Sequence, residues 1–366
     1  MIDYKGRDNN TVNLLKTIYF DHPEWVDASV SIMAATWMKY RDEVESIVLA
    51  HPKIFPTYKK GQTNFDFPSL PPLYEDGEHT DTWGTVWGNI ARGMDSMPIS
   101  EPLEDWAAFD SWESPDPLKL GDWAPQPDWS KLSLDMEASR EAGGLARGGG
   151  LPHGFFFMRL YYLRGFDNLM LDMADDDPRL WKLIEVLEHY CVTVTQQYLG
   201  AGAEFMSFGE DLGMQHALPI RPEMWRKFVK PTYEAVMGPC RDRNIPIYLH
   251  SDGHILEIID DLIDVGVSMI NPQIRANSLE GIRDVIKGKI SINLDLDRQL
   301  FPFATPLEIS DHIHEAVETL SAPEGGLCVG AECEPDVSLE NIEAICQALE
   351  SACDLPDPEY RKLIEN

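Results

Sequence analysis

Five short apolar runs in the second half of the chain each end in a cluster of polar or ligand-type residues. Phe205-Met206-Ser207-Phe208 leads to Glu210-Asp211, and Ile245-Pro246-Ile247-Tyr248-Leu249 leads to His250-Ser251-Asp252-Gly253. Val267-Ser268-Met269-Ile270 leads to Asn271-Pro272-Gln273, and Ile290-Ser291-Ile292-Asn293-Leu294 leads to Asp295. Leu327-Cys328-Val329-Gly330 leads to Glu332-Cys333. Helix-like segments lie between the runs. Strand, polar tip and helix in repetition is the pattern of a parallel βα barrel. The expected fold is therefore α/β, a (β/α)8 TIM barrel with an N-terminal helical and loop extension. In such a barrel the active site is built from the loops at the strand C-termini.

The remaining segments fit one domain over residues 1–366, with residues 1–130 as its elaborated part. Residues 10–20 read as a helix, residues 26–34 as a first strand, and Trp37 starts a helix reaching about residue 50. Residues 51–130 are dense in Pro, Trp, Gly and Asp, and Asp81-Thr82-Trp83-Gly84-Thr85-Val86-Trp87-Gly88 stands out among them. Their aromatic residues argue for packed loops rather than a linker. Gly148-Gly149-Gly150 precedes Leu151-Pro152-His153-Gly154 and a strand-like Phe155-Phe156-Phe157-Met158. Asp177-Pro178 opens a helix through Tyr198, with proline at its tolerated first position. Arg221-Pro222-Glu223 opens another, which Pro231 should kink. Helices near 254–265, 278–287, 306–320 and 338–351 complete the alternation.

Charge narrows the function. Lys+Arg 30 against Asp+Glu 62 gives a net charge of −32, which argues against nucleic acid or an anionic membrane as partner. No apolar stretch is long enough to span a bilayer, and the first ten residues contain no apolar signal core. The six cysteines form no CxxC pair and are expected as free thiols in a cytoplasmic protein.

Chemistry is expected at the strand tips. His250 ends an apolar strand, and Asp252 two residues on can share a metal with it or orient its ring. Cys333 and Glu332, at the end of the last strand, supply a thiolate and a carboxylate that would suit zinc beside His250. Paired carboxylates such as Glu210 and Asp211 can move protons, and they can equally cap a helix. Asn271, Gln273 and Asp295 offer hydrogen bonds to a ligand, with Arg298 able to neutralise Asp295 and Asp297. Trp83 and the Phe155–Phe157 run offer apolar surface, although buried core is the commoner fate of such residues. No GxGxxG, Walker, GxSxG or HExxH motif is present.

Tyr248-Leu249-His250-Ser251-Asp252-Gly253-His254-Ile255, then Asp261-Leu262-Ile263-Asp264-Val265-Gly266-Val267 and Ile270-Asn271-Pro272, resembles a signature of the uroporphyrinogen decarboxylase-like superfamily. Glu334-Pro335-Asp336-Val337-Ser338-Leu339-Glu340-Asn341-Ile342 resembles its closing segment. The likeness is best over residues 150–350, and it implies a (β/α)8 barrel. One branch decarboxylates uroporphyrinogen with an arginine-rich early strand, yet residues 26–39 contain no arginine here. The other branch transfers methyl groups with corrinoid proteins or thiols, using a zinc held by a His-x-Cys pair and a later Cys. This chain has His250 but Asp252 where that Cys would stand. Aligning on Pro335 places Ala331, not Cys333, at the later position.

The resemblance therefore implies a zinc-dependent methyltransferase component. It would take a methyl group from a methyl ether or methylamine and pass it to a corrinoid carried by a separate protein. Metal ligands are expected at His250, Cys333 and Glu332, acid–base groups at Glu210, Asp211 and Asp252, and substrate contacts at Trp83, Tyr248, Asn271, Gln273 and Asp295. The expected partners are the small methyl donor, the corrinoid protein and, for self-association, a second copy as a homodimer. The alternative is a metal-free carboxy-lyase acting on a porphyrinogen-like or other acid.

Overall fold

The structure is a computed structural model that describes residues 4–119 and 128–360. Met1, Ile2 and Asp3 of the N-terminal stretch lie outside the described residues. Its strands in chain order are β1 (Asp27–Ile32), β2 (Gly77–Thr80), β3 (Val86–Asn89), β4 (Met97–Ser100) and β5 (Arg147–Gly148). They continue as β6 (Phe205–Gly209), β7 (Ile247–Ser251), β8 (Met269–Pro272), β9 (Ser291–Asp295) and β10 (Leu327–Cys333). Two compact units account for the fold. One comprises residues 1–69, 140–144 and 269–366, the other residues 70–139 and 145–268.

In the first unit the strands run in the order β1-β10-β9-β8, all parallel. Helices Leu279–Val285, Pro306–Leu320 and Leu339–Ala352 follow β8, β9 and β10 in turn. The last two begin at real caps. Thr305 and Glu308 form a reciprocal capping box, and the Ser338 side chain accepts the Asn341 N–H. Leu294, Val329, Ile313 and Ile345 are fully buried between strands and helices. The helix expected to run to residue 50 is broken at Arg41, whose φ of 49° is not helical, giving Ala34–Tyr40 and Asp42–Ala50.

In the second unit β5, β6 and β7 are parallel neighbours, and β2-β3-β4 form a separate antiparallel sheet. The long helix Pro178–Ala201 starts as its sequence suggests, with the Asp177 side chain accepting the Arg179 N–H. The helix opened by Pro222 stops at Phe228 and resumes as Lys230–Arg241, with Pro231 in its first turn. Residues 155–158 do not form a strand. Phe157 begins the helix Phe157–Arg164, because the buried N–H groups of Phe156 and Met158 at its start find a carboxylate described below. An uninterrupted apolar run has no period that separates strand from buried helix.

The conspicuous stretch at 81–88 is a structural anchor in this unit. Asp81 accepts the N–H groups of Trp83 and Thr85 at 3.0 and 2.8 Å and the Trp87 indole at 3.0 Å. It also pairs with Arg159 at 2.8 Å, both side chains being excluded from solvent. The guanidinium lies over the rings of Trp83 and Tyr162. Trp83, expected against substrate, is thus committed to this buried network. Among the described residues no helix is long and apolar enough to cross a membrane.

Candidate functional site

Two strand tips of the second unit build the site. β7 contains His250 rather than ending before it, so alternation along the strand governs where its neighbours point. His250 and Asp252, two apart, project together. His250 Nε2 is 3.3 Å from Asp252 Oδ1 and 3.8 Å from Asp211 Oδ1. Asp211 follows β6. Its Oδ1 also lies 3.2 Å from His153 Nε2 and accepts the Asp252 backbone N–H at 3.2 Å. The two imidazole rings are 5.4 Å apart. One carboxylate oxygen therefore faces two imidazole nitrogens, and a second carboxylate stands beside one of them.

Backbone contacts fix this group from three sides. His153 is tied in by its neighbour Gly154, whose N–H donates to the Gly209 carbonyl at 2.8 Å. The glycine run before it packs too tightly for side chains: a Cβ on Gly150 (φ +72°) would lie 2.0 Å from the Tyr198 hydroxyl oxygen. Gly253 (φ +82°) touches the backbone of Gly213, and the Gly213 N–H donates to the Asp252 carbonyl at 3.2 Å.

Glu210 and Asp211 part company because successive residues point to opposite sides. Glu210 is fully buried. Its Oε1 accepts the N–H groups of Phe156 and Met158 at 2.8 and 2.9 Å, and its Oε2 accepts the Tyr233 hydroxyl at 2.5 Å. It caps the helix that follows His153 instead of facing the imidazoles. Burial pushes its carboxyl up to about 7, against the opposing pull of these three donors and of His153. Burial also raises the Tyr233 hydroxyl well above its ordinary range.

Glu332 and Cys333 close β10, as expected, and as successive strand residues they point to opposite faces. Cys333 shares the buried face with Val329 and Ala331. It has no exposure, its thiol is pushed up to about 12 by burial, and its carbonyl accepts the Thr36 hydroxyl. Glu332 projects the other way, to Arg298 at 3.1 Å, and Arg298 also reaches Asp295 at 3.5 Å. Asp297 pairs instead with Arg275 at 2.8 Å. Asn271 donates to the Asn293 carbonyl at 2.5 Å, Gln273 bridges to Asp295, and Tyr248 sits half-buried in β7 opposite Ser207. Asp252 stands where the resemblance leads one to expect a thiolate, and Cys333 is a buried thiol inside its own unit. His153, which the sequence gave little reason to single out, is instead the third member of the group.

The model of the family described as uroporphyrinogen decarboxylase (URO-D) matches residues 157–352, more than half of the chain. The chain belongs to the uroporphyrinogen decarboxylase family. Among solved structures, a methyltransferase from Methanosarcina mazei is similar over 94% of this chain and 99% of that one, with 15% identity and a TM-score of 0.58. That likeness shows the fold. A B12-independent methionine synthase from a Shewanella species aligns over 64% of this chain and 68% of its own, with 11% identity and a TM-score of 0.39. No curated protein is similar to the chain in sequence. The family thus includes the tips described above, since Glu210, Asp211, His250 and Asp252 fall within the matched residues, whereas His153 precedes them.

Proposed function

We propose that this enzyme folds as a (β/α)8 barrel and is the donor-side component of a methyl-transfer system. It binds a small methyl ether or methylamine and delivers the methyl group to a reduced corrinoid on a separate protein. The observation that carries this reading is the convergence of His153 and His250 on Asp211, with Asp252 adjacent. The fold likeness to a methyltransferase supports it.

For an ether the transfer is R–O–CH3 + Co(I) + H+ → R–OH + CH3–Co(III). The cobalt electron pair forms the new carbon–cobalt bond as the carbon–oxygen bond breaks, and the departing oxygen takes the proton. An alkoxide is a poor leaving group near neutral pH, so proton delivery must accompany bond breaking. The cluster at the two tips is placed to bind the donor heteroatom, with the proton delivered through Asp252 or a water that it holds. Glu210 serves by positioning, since its carboxyl faces the helix start. The acceptor protein would approach the strand C-terminal ends, where these groups lie.

Purified protein mixed with free cob(I)alamin and a panel of methyl ethers and methylamines should form methylcobalamin with at least one donor, followed by absorbance. His250→Ala should slow this by about 100-fold or more. Carbon dioxide release from a porphyrinogen, with no methylcobalamin from any donor, would decide for a carboxy-lyase instead.

A further inference from the structure

We propose that His153 Nε2, His250 Nε2 and Asp211 Oδ1 hold one divalent transition-metal ion of the zinc type, through two imidazoles and a carboxylate and without thiolate. One ligand atom from each of the three residues lies within 4.8 Å of the other two. Metal–ligand bonds of about 2.0–2.1 Å in a tetrahedron place ligand atoms about 3.3 Å apart. Asp211 Oδ1 is 3.2 Å from one imidazole nitrogen and 3.8 Å from the other, so small side-chain rotations bring all three into range.

Asp252 belongs to the same centre. A carboxylate that merely orients a metal-bound imidazole bonds the nitrogen remote from the ion. Asp252 Oδ1 instead lies 3.3 Å from His250 Nε2, the nitrogen that faces Asp211. It stands at the fourth position, as a ligand or as the acceptor for a bound water. The Asp252 N–H on Asp211 Oδ1 and the Gly154 N–H on Gly209 hold the set together before any ion arrives.

Imidazole and carboxylate donors suit zinc, cobalt(II) or iron(II), and the fourth position, once given up by Asp252 or its water, suits an oxygen or nitrogen donor rather than a thiol. The choice of donor atom rests on the methyl-transfer reading, and the ion site itself does not.

The test uses full-length protein stripped of metal. Calorimetric titration with Zn2+ should show one ion per chain. His153→Ala, Asp211→Asn and His250→Ala should each weaken binding by about 100-fold or more, and Asp252→Asn by about 10–100-fold. Cys333→Ser should leave affinity within about twofold, because Cys333 is fully buried and is not one of the proposed ligands. The Co2+ form should show ligand-field bands and no sulfur-to-cobalt charge-transfer band. His153 is half-exposed and Asp211→Asn preserves volume, so matched thermal unfolding should separate ligand loss from misfolding. No zinc uptake, a sulfur-to-cobalt band, or loss of the ion in Cys333→Ser would each overturn the assignment. Zinc bound normally by protein that transfers no methyl would leave the site standing and sink the methyl-transfer reading; methyl transfer by protein that takes up no zinc would do the reverse.

Discussion

Gly213 and Gly253 meet backbone to backbone, so closely that a Cβ on Gly253 would lie 2.1 Å from the Gly213 carbonyl oxygen. The loops leaving β6 and β7 cross there. Asp211 is two residues before one glycine, and Asp252 immediately precedes the other. The contact sets how near the two carboxylates come.

Gly253→Ala should therefore be harmful twice over. The left-handed backbone costs about 1–2 kcal/mol with a side chain, and the overlap with fixed backbone forces the loops apart. Denaturant unfolding should show a loss of about 2–4 kcal/mol, together with weaker Zn2+ binding. Unchanged values for both would mean the crossing does not set the site.

Glu210 should give the protein a stability slope with pH. The ordinary glutamate value is 4.5, and burial raises it to about 7 in the folded chain. Below about pH 4.5 both states hold the proton and the group makes no difference. Between there and pH 7 the unfolded chain has lost the proton while the folded chain keeps it, so stability falls as pH rises. Above pH 7 the penalty is complete, on the order of 3 kcal/mol. Unfolding free energies measured from pH 5 to 8 should fall less steeply in Glu210→Gln than in the parent.

The Asp81–Arg159 pair should be costly to break singly. Asp81→Ala leaves a buried guanidinium without its anion, and about 3–5 kcal/mol should be lost in chemical denaturation. The double variant Asp81→Leu/Arg159→Met should recover part of that loss, because both desolvated charges go together. Losses that simply add would remove the pair as the cause.

Arg298 stands between Asp295 and Glu332. Arg298→Met leaves those two carboxylates facing each other, and partial exposure limits the effect to about 1–2 kcal/mol. Added salt should reduce the difference from the parent by screening the repulsion. A salt-independent difference would point to lost packing of the arginine stem.

The parallel strands were legible because apolar runs with polar ends carry a strong period. Their register was less so: β7 and β10 extend past the runs that announce them, and that shift decides which tip residues face together. It separates Glu332 from Cys333, and alternation carried past the end of β6 separates Glu210 from Asp211, pairs that look equivalent in sequence. His153 was obscured because β5, the strand before its loop, is only two residues long and is read as glycine-rich coil. Nothing local to Asp81 reveals that its partner is Arg159, since a buried ion pair between distant segments leaves no periodic trace.

That last pair has a bearing on where this protein can be divided. The family match begins at Phe157, two residues before Arg159, while the anion that accompanies the guanidinium lies 78 residues upstream of it. A polypeptide cut at the edge of the match would carry a cation into its interior with its counter-charge left on the discarded piece. The boundary drawn by family likeness is thus a boundary of shared ancestry, not of autonomous folding. Grafting or trimming of this enzyme should keep residues 81 and 159 on the same molecule.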